Sequence, residues 1–127
     1  MKRVITVKVM NRSGVLNRVT GLLMKRQFNI ESITVGHTDE ESISKMTFIV
    51  NVPNERQMEQ IVKQLQKQID VLTVKDVTDR SIVMRELAFI KLISPPHKRG
   101  EMNSLIAPFR ASIVDSSKNT VTYQVTG

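Results

Sequence analysis

Few side chains in this 127-residue chain have types and spacing suited to bond-making chemistry. Cysteine is absent, which removes thiol nucleophiles, thiolate metal sites and disulfides. His37 and His97 lie far apart in sequence, neither sits in a metal-ligand pattern, and each reads as an ordinary loop or surface histidine. Ser13-Gly14 lacks the surrounding G-x-S-x-G of a nucleophile elbow. Asp39-Glu40-Glu41 supplies three carboxylates, but consecutive side chains diverge, so a solvated hairpin tip is the better reading than a cation site. No P-loop and no G-x-G-x-x-G occurs. No pairing of base and nucleophile emerges, and the chain reads as non-catalytic.

The segment Asn11-Arg12-Ser13-Gly14 has a different chemistry. It joins a strand to a helix, and a helix N-terminus offers unpaired amide N–H groups and the positive end of a dipole, which suit a carboxylate. Gly14 lets the backbone turn and lets a ligand approach closely. Asn11 carries both a donor and an acceptor for the polar groups of an α-amino acid. Val15 and Leu16 add apolar surface for a small branched side chain. The plainer alternative is that Ser13 caps the helix and Gly14 only makes the turn, and periodicity and spacing alone favour it.

The elements that would position this loop follow from apolar periodicity. Residues 3–10 place Ile5, Val7 and Val9 on one face of a strand. Val15, Leu16, Val19, Leu22 and Leu23 form the stripe of an amphipathic helix, with Lys25 and Arg26 in its last turn. Phe28-Asn29 ends the helix; residues 30–35 read as a strand, Gly36 to Ser42 as a polar hairpin connection, and 44–52 as a strand with Met46, Phe48, Val50 and Val52 inward. Asn54 and Gln57 have the form of a capping box opening a helix with Met58, Ile61, Val62 and Leu65 on its stripe. Residues 70–77 give a fourth strand. The order βαββαβ predicts an α+β fold, a ferredoxin-like two-layer sandwich over 1–78.

Residues 79–127 restart the pattern. A long strand is expected over 81–94, a loop over 95–100, a helix over 101–109 shortened by Pro108, and strands over 111–115 and 120–125. This βαββ unit lacks a helix and a strand relative to the first. Half a sandwich leaves apolar sheet uncovered, so truncation at Gly127 or completion by another chain is expected.

The formal charge is +7, which raises nucleic acid as a partner. The excess is spread, with 12 Lys+Arg against 8 Asp+Glu in residues 1–77 and 7 against 4 thereafter. Aromatics are 4% of the chain and do not interleave with basic residues, so base stacking has no platform. An acidic protein partner fits a basic surface at least as well. Seven scattered methionines read as core. The N-terminus alternates apolar with polar, and no run reaches the roughly 20 apolar residues of a membrane span, so a soluble cytoplasmic protein is expected.

In order along the chain, N-R-S-G-V-L-N-R-V-T-G-L-L at 11–23, F-N-I-E-S-I-T-V at 28–35, S-K-M-T-F at 44–48, D-V-L-T-V at 70–74, V-M-R-E-L-A-F-I-K at 83–91 and F-R-A-S-I-V-D at 109–115 resemble the small regulatory subunits of acetolactate synthase, which open with an ACT domain. The resemblance implies an ACT domain over 1–78 that senses an effector and dimerises, followed over 79–127 by the second domain that these proteins carry. It implies a partner, the catalytic large subunit, which the chain would activate and place under feedback inhibition by valine in branched-chain amino-acid biosynthesis. Thiamine diphosphate, magnesium and FAD would belong to that partner, with no cofactor or metal in this chain and neither nucleic acid nor membrane bound. It also implies an effector site across a side-by-side homodimer: Asn11, Gly14, Val15 and Leu16 of one copy face Asn29 and Ile30 of the other, with Phe28 packed beside them. Family members usually run beyond the equivalent of Gly127. An ACT-type sensor for a different enzyme or a transcription system is the alternative.

Overall fold

The computed structural model describes residues 1–127, which divide into two compact units, Met1–Ile82 and Val83–Gly127. The first contains β1 (Lys2–Met10), α1 (Val15–Lys25), β2 (Asn29–His37), β3 (Ile43–Asn51), α2 (Glu55–Gln66) and β4 (Val71–Asp76). Its sheet order is β2-β3-β1-β4, with every neighbouring pair antiparallel. The sequence therefore folds as the βαββαβ sandwich that its periodicities predict.

β1 and β3 are central because they are the strands that can be buried. Ile5, Val7 and Val9 face Phe48, Met46 and Ser44 in register, and all six are buried. Val15, Val19 and Leu23 of α1 and Met58, Ile61 and Leu65 of α2 close the core from one side. Each helix thus turns the stripe expected of it to the core, with Leu22 and Val62 only partly buried and Leu16 43% exposed. Asn54 caps α2 by accepting a hydrogen bond from the Gln57 N–H at 2.9 Å. The end of α1 is set by Gln27, a non-glycine residue at φ 59, while the Phe28 N–H reaches back to the Leu23 carbonyl at 3.3 Å. That left-handed closure turns Phe28 onto the core.

Two boundaries differ from expectation. β2 continues through Gly36 and His37 instead of ending at Val35, because Gly36 and His37 still have partners in Lys45 and Ser44. The connection shrinks to residues 38–42 and is closed by Thr38, whose hydroxyl donates to the Ile43 carbonyl at 2.9 Å. β4 covers only Val71–Asp76 of the expected 70–77.

The second unit holds β5 (Leu87–Ile93), α3 (Arg99–Ile106), β6 (Ser112–Ser116) and β7 (Thr120–Thr126), with sheet order β5-β7-β6. The strand expected over 81–94 is cut to Leu87–Ile93: Glu86 still bonds the backbone of Gly127, but residues 81–85 have apolar character and no neighbouring strand to pair with. The helix starts at Arg99, ahead of the expected 101, after a 3₁₀ turn over Pro96–Lys98 that proline initiates readily. It stops at Ile106, since Pro108 has no N–H for a further α-helical bond, and Ala107–Phe109 tighten to 3₁₀. Among apolar residues only Val121 and Tyr123 are buried in this unit. An open cleft of about 300 Å³ remains between Ile90, Leu92, Tyr123 and Val125 of the sheet and Ile106 and Phe109.

Candidate effector-binding site

The loop from Asn11 to Gly14 leaves β1 at the end of the sheet nearest the β2–β3 turn. The Asn11 N–H donates to the Ser42 carbonyl at 2.7 Å, and its side-chain amide donates to the Glu41 carbonyl at 3.2 Å. Part of the donor capacity expected for a ligand is therefore spent on fixing the loop against the turn, which leaves the side-chain carbonyl of Asn11 for other partners. Gly14 lies at φ 84, a left-handed conformation that glycine adopts without strain.

Ser13 does not cap the helix. Gly14 occupies the N-cap position of α1, no side chain bonds the first-turn amides, and no acidic residue lies in the first turn. The contrast with α2, capped by Asn54 and carrying Glu55 in its first turn, is direct. The Val15 N–H donates to the Arg12 carbonyl at 3.4 Å, and the next amides of the first turn keep the anion-attracting character of an uncapped helix end.

The remaining expected residues fall in two places. Leu16 is exposed beside this N-terminus, but Val15 is 3% exposed and belongs to the core, so its side chain is unavailable to a ligand. Asn29 and Ile30 lie at the opposite end of the sheet: Asn29 pairs with Asn51, which pairs with Lys2, whereas the loop follows Met10. Eight residues of strand separate the two ends, roughly 26 Å at 3.3 Å per residue. One chain does not bring these residues together. Ile30 and Phe28 are half-buried against the core and Asn29 is exposed.

Sequence reasoning missed the ionic bracket around the loop. Asp70, at the start of β4, is held by Arg12 at 3.3 Å and by Arg18. The Asp70 carbonyl accepts from the Met10 N–H at 2.8 Å. Arg18 Nη1 also lies 3.5 Å from where a Cβ on Gly14 would sit. Arg18 follows Gly14 by one helical turn, a spacing that marks it as a neighbour of the N-terminus; nothing local points to Asp70. His37 ends β2 and His97 sits in the 3₁₀ turn, both exposed, and no three His, Asp or Glu side chains cluster as metal ligands. No helix is long and apolar enough to cross a membrane.

Comparison with known proteins gives this geometry a context. Residues 5–73 match the model of the acetolactate synthase (AHAS) small subunit-like ACT domain, and residues 85–127 match that of the small subunit of acetolactate synthase. The chain belongs to the acetolactate synthase small-subunit family. It is 60% identical over all 127 residues to the acetolactate synthase small subunit of Bacillus subtilis, spanning 74% of that protein. It is 39% identical over 127 residues to the isozyme 3 small subunit of Escherichia coli, spanning 77%. The crystal structure of the small subunit from Thermotoga maritima superposes with a TM-score of 0.89 at 31% identity, covering all of this chain and 79% of that one. The ACT domain of a GTP pyrophosphokinase from Chlorobium tepidum shares the fold alone, at 24% identity and a TM-score of 0.54. Within the small-subunit family, the match over 5–73 contains the loop, the uncapped α1 terminus, Asn29 and Ile30, and Asp70.

Proposed function

We propose that this chain is the regulatory small subunit of acetolactate synthase: it binds and activates the catalytic large subunit and makes it subject to feedback inhibition by valine. Thiamine diphosphate, magnesium and FAD then reside in the large subunit, and this chain contributes no reacting group. The observation that carries the reading is the likeness to acetolactate synthase small subunits over the whole chain, both halves in order.

The geometry offers a route to valine sensing. β2 is an edge strand, nine residues long, with one row of backbone groups unpaired and with Ile33 and Val35 exposed at 41% and 45%. If two copies join antiparallel through β2, residue 29 of one lies opposite the 37 end of the other, the end at which the Asn11 loop is anchored. Valine would then place its carboxylate at the α1 amides near Gly14, with Leu16 beside its side chain and Asn29 and Ile30 of the second copy closing the site. Val15 enters through its backbone alone. Valine regulates if it binds one arrangement of the two copies better than another, and the large subunit reads that arrangement.

The test is acetolactate synthase activity of a catalytic subunit with and without this chain and valine. The chain should raise activity, and valine should lower it only when the chain is present. Gly14→Asp should abolish valine inhibition. Any L side chain at φ 84 brings strain of about 1–2 kcal/mol, so Gly14→Asn serves as the control with similar strain and no charge. Full valine inhibition in Gly14→Asp would remove the site assignment. Failure of the chain to associate with any thiamine-dependent enzyme would favour an ACT sensor for a different system.

A further inference from the structure

The sheet face of the first unit that no helix covers carries a group of lysines beside an apolar row in which Val4 pairs with Ile49. Strand pleating sends alternate residues to opposite faces; since Ile5, Val7, Val9, Met46, Phe48 and Val50 are buried under the helices, their neighbours point the other way. In register across the four strands, one row of this open face reads Gly36, Lys45, Lys8, Thr73 and the next reads Thr34, Thr47, Thr6, Lys75. Lys8, Lys45 and Lys75 are exposed, and none takes part in an ion pair. Lys2, further along, is paired with Glu31 at 3.0 Å. Of the 12 basic side chains in residues 1–77, Lys2, Arg3, Arg12 and Arg18 are ion-paired, and Lys8, Lys45 and Lys75 are the unpaired ones that share this face.

The arrangement is not one that folding favours. Lys8 and Lys45 stand directly opposite on the two central strands, and like charges in that relation destabilise a sheet. Threonines on the same face show that uncharged residues fit there. The ammonium groups are donors only and the threonine hydroxyls can donate beside them, which suits a carboxylate-rich surface. No aromatic side chain lies in either row, so the face lacks the stacking platform that single-stranded nucleic acid requires.

We propose that the open sheet face centred on Lys8, Lys45 and Lys75 docks an acidic surface of the catalytic subunit. The inference rests on the reading of the chain as a subunit of acetolactate synthase. The lysines steer association and set its salt dependence; the threonine hydroxyls supply the short-range hydrogen bonds.

The experiment uses the whole chain with an acetolactate synthase catalytic subunit and measures association and dissociation rates at low and at physiological salt. Lys8→Gln/Lys45→Gln/Lys75→Gln should associate about tenfold more slowly at low salt and lose most of the salt dependence. Lys8→Thr alone should raise the melting temperature of the free chain while slowing association, a pair of opposite effects that damage to the fold does not produce. If the wild-type chain binds the subunit and the triple variant matches it in rate and salt dependence, the docking face is wrong and the functional reading stands. If the wild-type chain does not bind the subunit, both fail. Binding of a single-stranded RNA probe that the triple substitution abolishes, with subunit association unchanged, would reassign the face to nucleic acid. A shift in the chain's own oligomeric state, again with association unchanged, would reassign it to self-assembly.

Discussion

Asp76 collects four hydrogen bonds: from the Thr78 N–H at 3.1 Å and hydroxyl at 2.6 Å, and from Arg3 Nε at 3.0 Å and Nη2 at 2.6 Å. Removal from water is the largest single influence on its carboxyl and pushes the pKa up, but the bonds from Thr78 and Arg3 together outweigh it and hold the carboxyl below its ordinary value. A depressed folded-state pKa means stability that is complete above the unfolded value and is lost as pH falls through the folded one. Asp76→Asn should therefore cost about 1–3 kcal/mol at neutral pH and show a smaller further loss on acidification than wild type, read from urea unfolding at pH 7 and in the acid range. An equal acid loss in both would assign the acid sensitivity to other carboxylates. At this scale the sequence was a partial guide. Gly14 declares its turn, and Asn54 its cap, because both act within a few residues. Asp76 and Asp70 act through partners 73 and 58 residues away in Arg3 and Arg12, contacts that no local pattern encodes.

The elements of the first unit were legible because each has one apolar face and the period differs between helix and strand. Their ends were less so. Gln27 closes α1 in the left-handed region, where a side chain is strained, and nothing in the letters Arg26-Gln27-Phe28 announces that geometry. Gln27→Gly should stabilise the chain by about 1 kcal/mol, seen as a melting temperature several degrees higher; no change would mean that the Gln27 side chain offsets its strain through contacts elsewhere. The strand expected over 81–94 exceeds β5 for the opposite reason. Alternation alone reports a tendency to be extended, while a strand needs a neighbour, and β7 reaches only as far as Glu86, through its bonds with Gly127 at 2.7 and 3.0 Å. The missing side-chain cap on α1 also escaped the sequence, since Ser13 has the right chemistry and the wrong position relative to the first turn.

Over the whole molecule, burial is unevenly distributed. The first unit has a continuous core from Ile5 to Leu65, whereas the second buries Val121 and Tyr123 and leaves Phe89 and Ile93 at 62% and 82% exposed. Local opening costs least where few apolar contacts must be broken. Amide hydrogen exchange should accordingly protect β1 and β3 far more strongly than β5–β7, by about tenfold or more in opening equilibrium for each 1.4 kcal/mol of difference; equal protection would show that the second unit draws stability from contacts other than its own core. The βαββ order of this unit was readable from its periodicities. The amount of apolar surface it leaves open depends on tertiary contacts, which periodicity does not encode.

The bare edge of β2 has one more implication. A ladder of backbone hydrogen bonds carries no information about which side chains flank it. If copies join through that edge, a related small subunit made in the same cell presents the same ladder, and the backbone cannot tell self from kin. Discrimination falls to the residues beside the ladder, with Ile33 and Val35 exposed on one face and Ser32 and Thr34 on the other. These side chains, with Asn29 and Ile30 at the strand's end, would then decide whether a cell that carries two such genes keeps their products apart or mixes them into one population of regulators.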